Sequence, residues 1–286
     1  MGPSPPVWFT ALAATTIFTV MLSLGLLLGR DQLATALRRR ILLAAIVFGV
    51  IVPLPILAVA FVKVLNLEGP IRLGIILMAV SPGAPIALRR AIDAGGHSRF
   101  APALHLALVL LAVITVPASI AILNVVFGVA FRVSAFDVGR QVFFSQLLPI
   151  GLGALTLAYR PDLAARIEPP LAKLSNLLFI ALVLACVYFL GGMLVSIGWM
   201  PTFAGLVLTA CALAVGSASA GNHVDARPPA AVAAAMRNPG LALLIASLNN
   251  AGGAVAAVVF GYALGAAVLV AAYVAWQVRA RRSNRN

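Results

Sequence analysis

Acid is what this chain has least of. Seven Asp and Glu stand against twenty Lys and Arg in 286 residues, and charged residues of both signs make up only 9%. None of the seven carboxylates falls inside an apolar run, so paired-carboxylate catalysis and carboxylate metal cages at membrane depth are excluded. Cysteine is nearly absent. Cys186 and Cys211 both sit in apolar runs, and two such thiols give neither a disulfide framework nor a metal cluster. The chain has no GxxxxGK[ST] loop to power an ATP-driven pump and no HExxH motif. It also lacks any long polar stretch from which a soluble domain could be built.

Apolar sequence is what it has in abundance. With 63% hydrophobic residues and a mean hydropathy of +1.09, it cannot present a water-facing surface all round, and it reads as an all-α polytopic membrane protein. Runs of about 20 apolar residues match the roughly 30 Å of hydrocarbon that a helix must cross. They place nine spans at about 7–29, 41–62, 71–88, 102–128, 139–159, 173–197, 202–218, 229–247 and 252–277. The first run has no basic segment before it and is long enough to span, so it reads as a retained helix.

The net charge of +13 would point to nucleic acid in a soluble chain. Here the basic residues lie in short loops and set orientation instead, so no nucleic-acid partner is expected and the partner surface is the lipid bilayer. With the C-terminus inside, the inner loops and the tail hold fifteen, from Arg30, Arg38, Arg39 and Arg40 to the tail's Arg279, Arg281, Arg282 and Arg285. The outer loops hold four: Lys63, Arg72, Arg132 and Arg140. This bias predicts the N-terminus outside and the C-terminus in the cytoplasm of a bacterial inner membrane, with residues 279–286 as a basic tail.

The twentieth basic residue, Arg237, belongs to neither side. It lies mid-span in Met236–Arg237–Asn238–Pro239–Gly240, and an earlier stretch, Ser81–Pro82–Gly83–Ala84–Pro85, interrupts the third span in a similar way. Proline removes a helical donor and glycine allows turns that other residues resist. Unwound backbone survives at membrane depth only where it faces protein or a watery cavity. The two breaks are five spans apart, so their helices cross in opposite directions, the geometry of inverted repeats. The expected division is a first repeat over about 1–128, lacking one helix, and a second over about 139–278, with the two broken helices crossing near the midplane. Ser81, Pro82, Gly83, Pro85, Arg237, Asn238, Pro239 and Gly240 are therefore the candidate substrate-binding and coupling residues.

Three roles are open to Arg237, whose burial at the bilayer centre costs roughly 2.5–3.5 kcal/mol on the lenient insertion scale. It can tether carbonyls freed by the break, clamp a carboxylate or sulfonate bidentately, or stand as a fixed charge where a coupling cation would otherwise sit. His105 is the only histidine inside an apolar run. It is either a proton relay or a hydrogen-bonded residue near the inner interface. His97, His223 and Asp225 read as solvated loop residues, Asn249 and Asn250 as the outer turn before the last span, and Pro53, Pro117 and Pro149 as ordinary kinks.

Several of these stretches together resemble the bile acid:sodium symporter family, whose wider superfamily includes arsenite and auxin carriers. The likeness rests on Met21–Leu22–Ser23–Leu24–Gly25–Leu26 followed by the basic turn Arg38–Arg39–Arg40, on Val52–Pro53–Leu54, on Pro82–Gly83, and on Arg237–Asn238–Pro239–Gly240–Leu241–Ala242. The resemblance implies a core of spans two to four and seven to nine and a panel of spans one, five and six, with the substrate cavity between them. It also places departures. The family's sodium-ligating glutamate and glutamine positions hold Ala233 and Arg237, and its serine and asparagine hold Ala87 and Leu88. A secondary transporter of small organic anions is expected, without a metal or cofactor, and proton-coupled or uniporting in preference to sodium-coupled. A membrane sensor that binds a ligand without transporting it is the alternative.

Overall fold

The computed structural model describes residues 7–29, 34, 38–85, 87, 90–91, 100–128 and 131–283. His97 and Leu88 lie outside them. Among the described residues seven helices are long and apolar enough to cross a membrane, and two shorter apolar helices, Ala11–Gly25 and Gly69–Ala79, mark the first and third spans. The chain is thus an all-helical polytopic membrane protein of about nine spans.

Local chemistry sets where each span begins and ends. Span one is helical over Val7–Gly25 and ends in a tight turn, with Leu26, Leu27 and Leu28 N–H groups closing onto Leu22, Leu24 and Gly25 carbonyls. Span two runs Arg40–Ile51 and resumes over Pro53–Val64, because Pro53 has no N–H to continue the ladder. Span three is helical over Gly69–Ala79 and leaves the helix at Val80, since Pro82 biases the residue before it away from the α region. Span four is Ala101–Phe127.

Span five combines Ala135–Val142, a π-helical turn over Phe143–Leu147, and Leu148–Tyr159. Pro149 accounts for that turn. Its ring would meet the Ser145 carbonyl in a regular helix, and the Leu148 N–H instead reaches back to Phe143 O. Span six begins at Pro161, well before the apolar run at 173, and continues to Ile197. The 37-residue helix is about 55 Å long at 1.5 Å per residue, so its polar first turns, with Asp162, Arg166 and Glu168, extend beyond any hydrocarbon layer. Hydropathy alone marks only the part that sits in lipid. Spans seven and nine are Met200–Ser219 and Gly252–Ser283, and span eight is two half-helices, Arg227–Ala235 and Pro239–Leu248.

The helices sort into two groups. Span one packs on spans five and six, which also pack on each other, and spans two, three, seven, eight and nine pack among themselves. Span six also packs on span nine, and span four packs on the start of span five and more lightly on spans two and eight, so the two groups are joined along both contacts. The resemblance would assign the first group to a panel and the second, with span four, to a core. The core is close-packed at its centre. A Cβ on Gly205 of span seven would sit 2.3 Å from Tyr262 O, and one on Gly265 of span nine 2.3 Å from Thr202 O, so those backbones touch only because both residues are glycine.

Contacts at the helix ends fix which loops share a side. Arg39, before span two, pairs with Asp225, before span eight, at 2.6 Å. Ser23 at the end of span one donates to Glu168 near the start of span six at 3.3 Å. On the other side, Asn249 after span eight donates to Arg132 O at 2.8 Å and accepts from Arg132 N. Lys63 and Arg72, flanking the loop between spans two and three, both lie over Phe127 at the end of span four. All four pairings join loops that the charge bias assigns to one face.

Candidate functional site

The two breaks meet. In the first, the chain leaves helix at Val80, and residues 81–84 form no regular structure. Gly83 takes φ +77, a left-handed conformation that glycine adopts without strain. Ser81 through Ala84 are buried. Ser81 turns its hydroxyl back onto Leu77 O at 2.7 Å, so its side chain stays within its own helix. In the second break, Met236 and Asn238 are extended, with φ −87 and −91, and Pro239 and Gly240 open the next half-helix. Gly240 lies inside that half-helix and has no positive φ, so the turn here comes from the extended residues.

The joints between the breaks are hydrogen bonds running one way. The Asn238 backbone N–H donates to Ser81 O at 2.8 Å, and its side-chain amide donates to Gly83 O at 3.3 Å. The same side chain accepts from Leu241 N at 3.1 Å, capping the half-helix it precedes. Arg237 is 3% exposed and reaches three carbonyls on two other spans. Its Nη1 donates to Val50 O at 3.1 Å, its Nε to Met78 O at 3.4 Å, and its Nη2 to Ala79 O. Three of the five N–H donors of the guanidinium are thus committed to backbone oxygens.

The structure therefore brings Ser81, Pro82, Gly83, Arg237 and Asn238 into one buried crossing, with Pro85, Pro239 and Gly240 on its partly buried edge. His105 is set apart from it. It is buried on span four beside the buried Gln146 of span five, and neither His105 Nε2 nor Gln146 Oε1 has a hydrogen-bond partner. Ala233 and Ala87, at the positions the resemblance singles out, are both buried and carry no side-chain oxygen.

Sequence reasoning missed two participants. Val50 supplies the third carbonyl, just before the interruption at Pro53, which had read as an ordinary kink. Gln146 is fully buried on the π-helical turn. Every residue carries a carbonyl, so nothing in the spacing of the sequence ties Val50 O on span two to Arg237 on span eight.

About nine apolar helices among the described residues, two of them broken and joined at their breaks, define an integral polytopic membrane protein. The sequence model of the sodium bile acid symporter family matches residues 14–197, well over half of the chain. The chain belongs to that family. The match ends at Ile197, so spans one to six carry it, and Arg237 and the second break lie beyond it. No curated protein sequence matches the chain.

Proposed function

We propose that this protein is a secondary transporter of small organic anions that works without sodium, with Arg237 standing where a coupling cation would otherwise sit. The observation that carries the reading is the guanidinium on the carbonyls of Val50, Met78 and Ala79. Converging backbone oxygens at a helix break are the ligands that hard cations take. Here a resident cation takes them. A sodium ion would find those three oxygens engaged, no side-chain oxygen at Ala233 or Ala87, and a fixed positive charge beside it. The residues present do not fit the ion that the family name implies.

The anion preference follows from the same charge. Every carboxylate of the chain lies outside the apolar runs, so Arg237 has no acidic partner at its own depth. An uncompensated interior cation lowers the energy of an anion brought into the neighbouring cavity. Arg237 acts at one remove in this account, through its field and by holding the crossing together, and the substrate meets the cavity wall between core and panel.

Transport then proceeds by movement of the core against the panel around the crossing, as in inverted-repeat carriers generally. The hydrogen bonds between the breaks keep the crossing one body while the seam between spans four and five opens. The cell inner membrane, with the C-terminus cytoplasmic, is the setting that the charge bias favours.

Uptake into proteoliposomes tests this. Organic anions should be taken up equally in sodium and potassium media, and Arg237→Ala should lose at least about tenfold. Uptake that requires sodium, or full activity in Arg237→Ala, would overturn the reading.

A further inference from the structure

With sodium set aside, energised transport needs another coupling ion, and the one buried histidine among the described residues lies on span four. His105 is 4% exposed on span four, a core helix, and Gln146 is 2% exposed on span five, a panel helix. The two side chains lie close together where span four packs on span five, the seam that opens in the transport reading above. Neither His105 Nε2 nor Gln146 Oε1 has a hydrogen-bond partner. Buried polar atoms without partners are uncommon and call for a functional or structural reason. Here one lies on each side of a moving boundary.

We propose that His105 is the proton-coupling residue of this carrier, with Gln146 as its positioning partner. The inference rests on the transport reading above. Water reaching the seam from one side gives Nε2 a proton. The seam closes over the protonated imidazole together with the bound anion, and reopening to the other side releases both. One proton then moves with each anion, and the histidine returns neutral.

The surroundings suit the role. Span two, packed on span four, brings no titratable group between Arg40 and Ile51 other than Arg40 itself, and the first half of span eight brings only Arg227 at its inner end. The start of span five brings Asp137 and Arg140, both toward its outer end, and the π-helical turn brings none. Gln146 is the polar side chain that approaches the imidazole. At its outer end the same seam already holds a cavity of about 430 Å³, lined by Pro117, Asn124, Arg132 and Asp137 among others. His105 lies twelve residues beyond Pro117, about 18 Å along the helix at 1.5 Å per residue.

The test uses proteoliposomes with the pH dye pyranine inside, and pyruvate, lactate, succinate, benzoate and taurocholate as probes. A probe that exchanges by counterflow should accumulate under an inward proton gradient and acidify the lumen. In His105→Gln the ratio of gradient-driven accumulation to counterflow should fall at least tenfold. An unchanged ratio overturns the proposal, as does wild-type counterflow with no response to the gradient. Counterflow with none of the probes sinks the transport reading itself. A second measurement is independent of any substrate and of any change at His105. In a His97→Asn, His223→Asn chain in nanodiscs, the ring-carbon NMR signal of His105 should shift with pH, and a signal constant from pH 5 to 9 overturns the proposal.

Discussion

The two breaks look alike in sequence and are opposites in chemistry. The first, at Ser81–Pro85, offers acceptors: Met78 O, Ala79 O, Ser81 O and Gly83 O all take hydrogen bonds from the second. The second, at Met236–Gly240, offers donors, namely Arg237 Nε and Nη2, Asn238 N and Asn238 Nδ2. Glycine conformation makes the first turn, and side chains close the second. A pair of Pro-Gly breaks therefore need not be two copies of one device. One half supplies a cradle of carbonyls, and the other supplies the cation that fills it.

Replacing Arg237 should break this division most. Arg237→Ala leaves the carbonyls of Val50 and Ala79 without that donor in a dry interior, at about 1–3 kcal/mol for each group not rescued by water, while Met78 O keeps the Ser81 N–H. Thermal unfolding in detergent should fall by more than for any other single change in the crossing. Arg237→Lys should recover part of the loss, since an ammonium is a point donor without the planar fork.

Gly83→Ala and Gly240→Ala separate the two ways of turning. At Gly83 the φ of +77 and a Cβ only 3.2 Å from Val109 Cγ2 predict a loss of about 1–2 kcal/mol. At Gly240 the conformation is ordinary and the nearest atom is Asn238 Oδ1 at 3.3 Å. That substitution should stay within about 0.5 kcal/mol, helped by alanine's better helix propensity. Equal losses at both glycines would break the comparison.

The polar side chains give the next step down. Asn238→Ala removes a helix cap and a bond to Gly83 O, and should cost about 1–2 kcal/mol in the same unfolding measurement. Ser81→Ala removes only a hydroxyl bonded within its own helix and should change stability by less than about 0.5 kcal/mol. A serine effect as large as that of the asparagine would mean that Ser81 serves the crossing through its side chain.

The positions of the breaks were legible because Pro82, Pro239 and Arg237 interrupt apolar runs, and little else interrupts them. Which loops share a face was legible because basic residues gather in alternate loops, and the helix-end contacts pair the same loops. The direction of the hydrogen bonds was not, since it depends on carbonyls, which every residue carries alike. The bond to Val50 needed the fold to bring span two beside span eight. The π-helical turn was hidden too. Phe143–Leu147 reads as ordinary apolar helix, and only its relation to Pro149 turns Gln146 toward His105. The length of span six was missed because a helix that leaves the membrane no longer needs to be apolar.

The claim that a resident guanidinium fills the cation site is tested most directly by thermal unfolding of the purified wild-type protein in sodium against potassium at equal ionic strength. A ligand that binds only the folded state stabilises it by about 2.7 kcal/mol at a hundred times its dissociation constant, so occupied sodium sites would show. The account predicts matching unfolding temperatures for the wild type, and a sodium-dependent rise once Ala233→Glu and Arg237→Gln restore the oxygens and remove the charge. A wild type that is itself stabilised by sodium would contradict it.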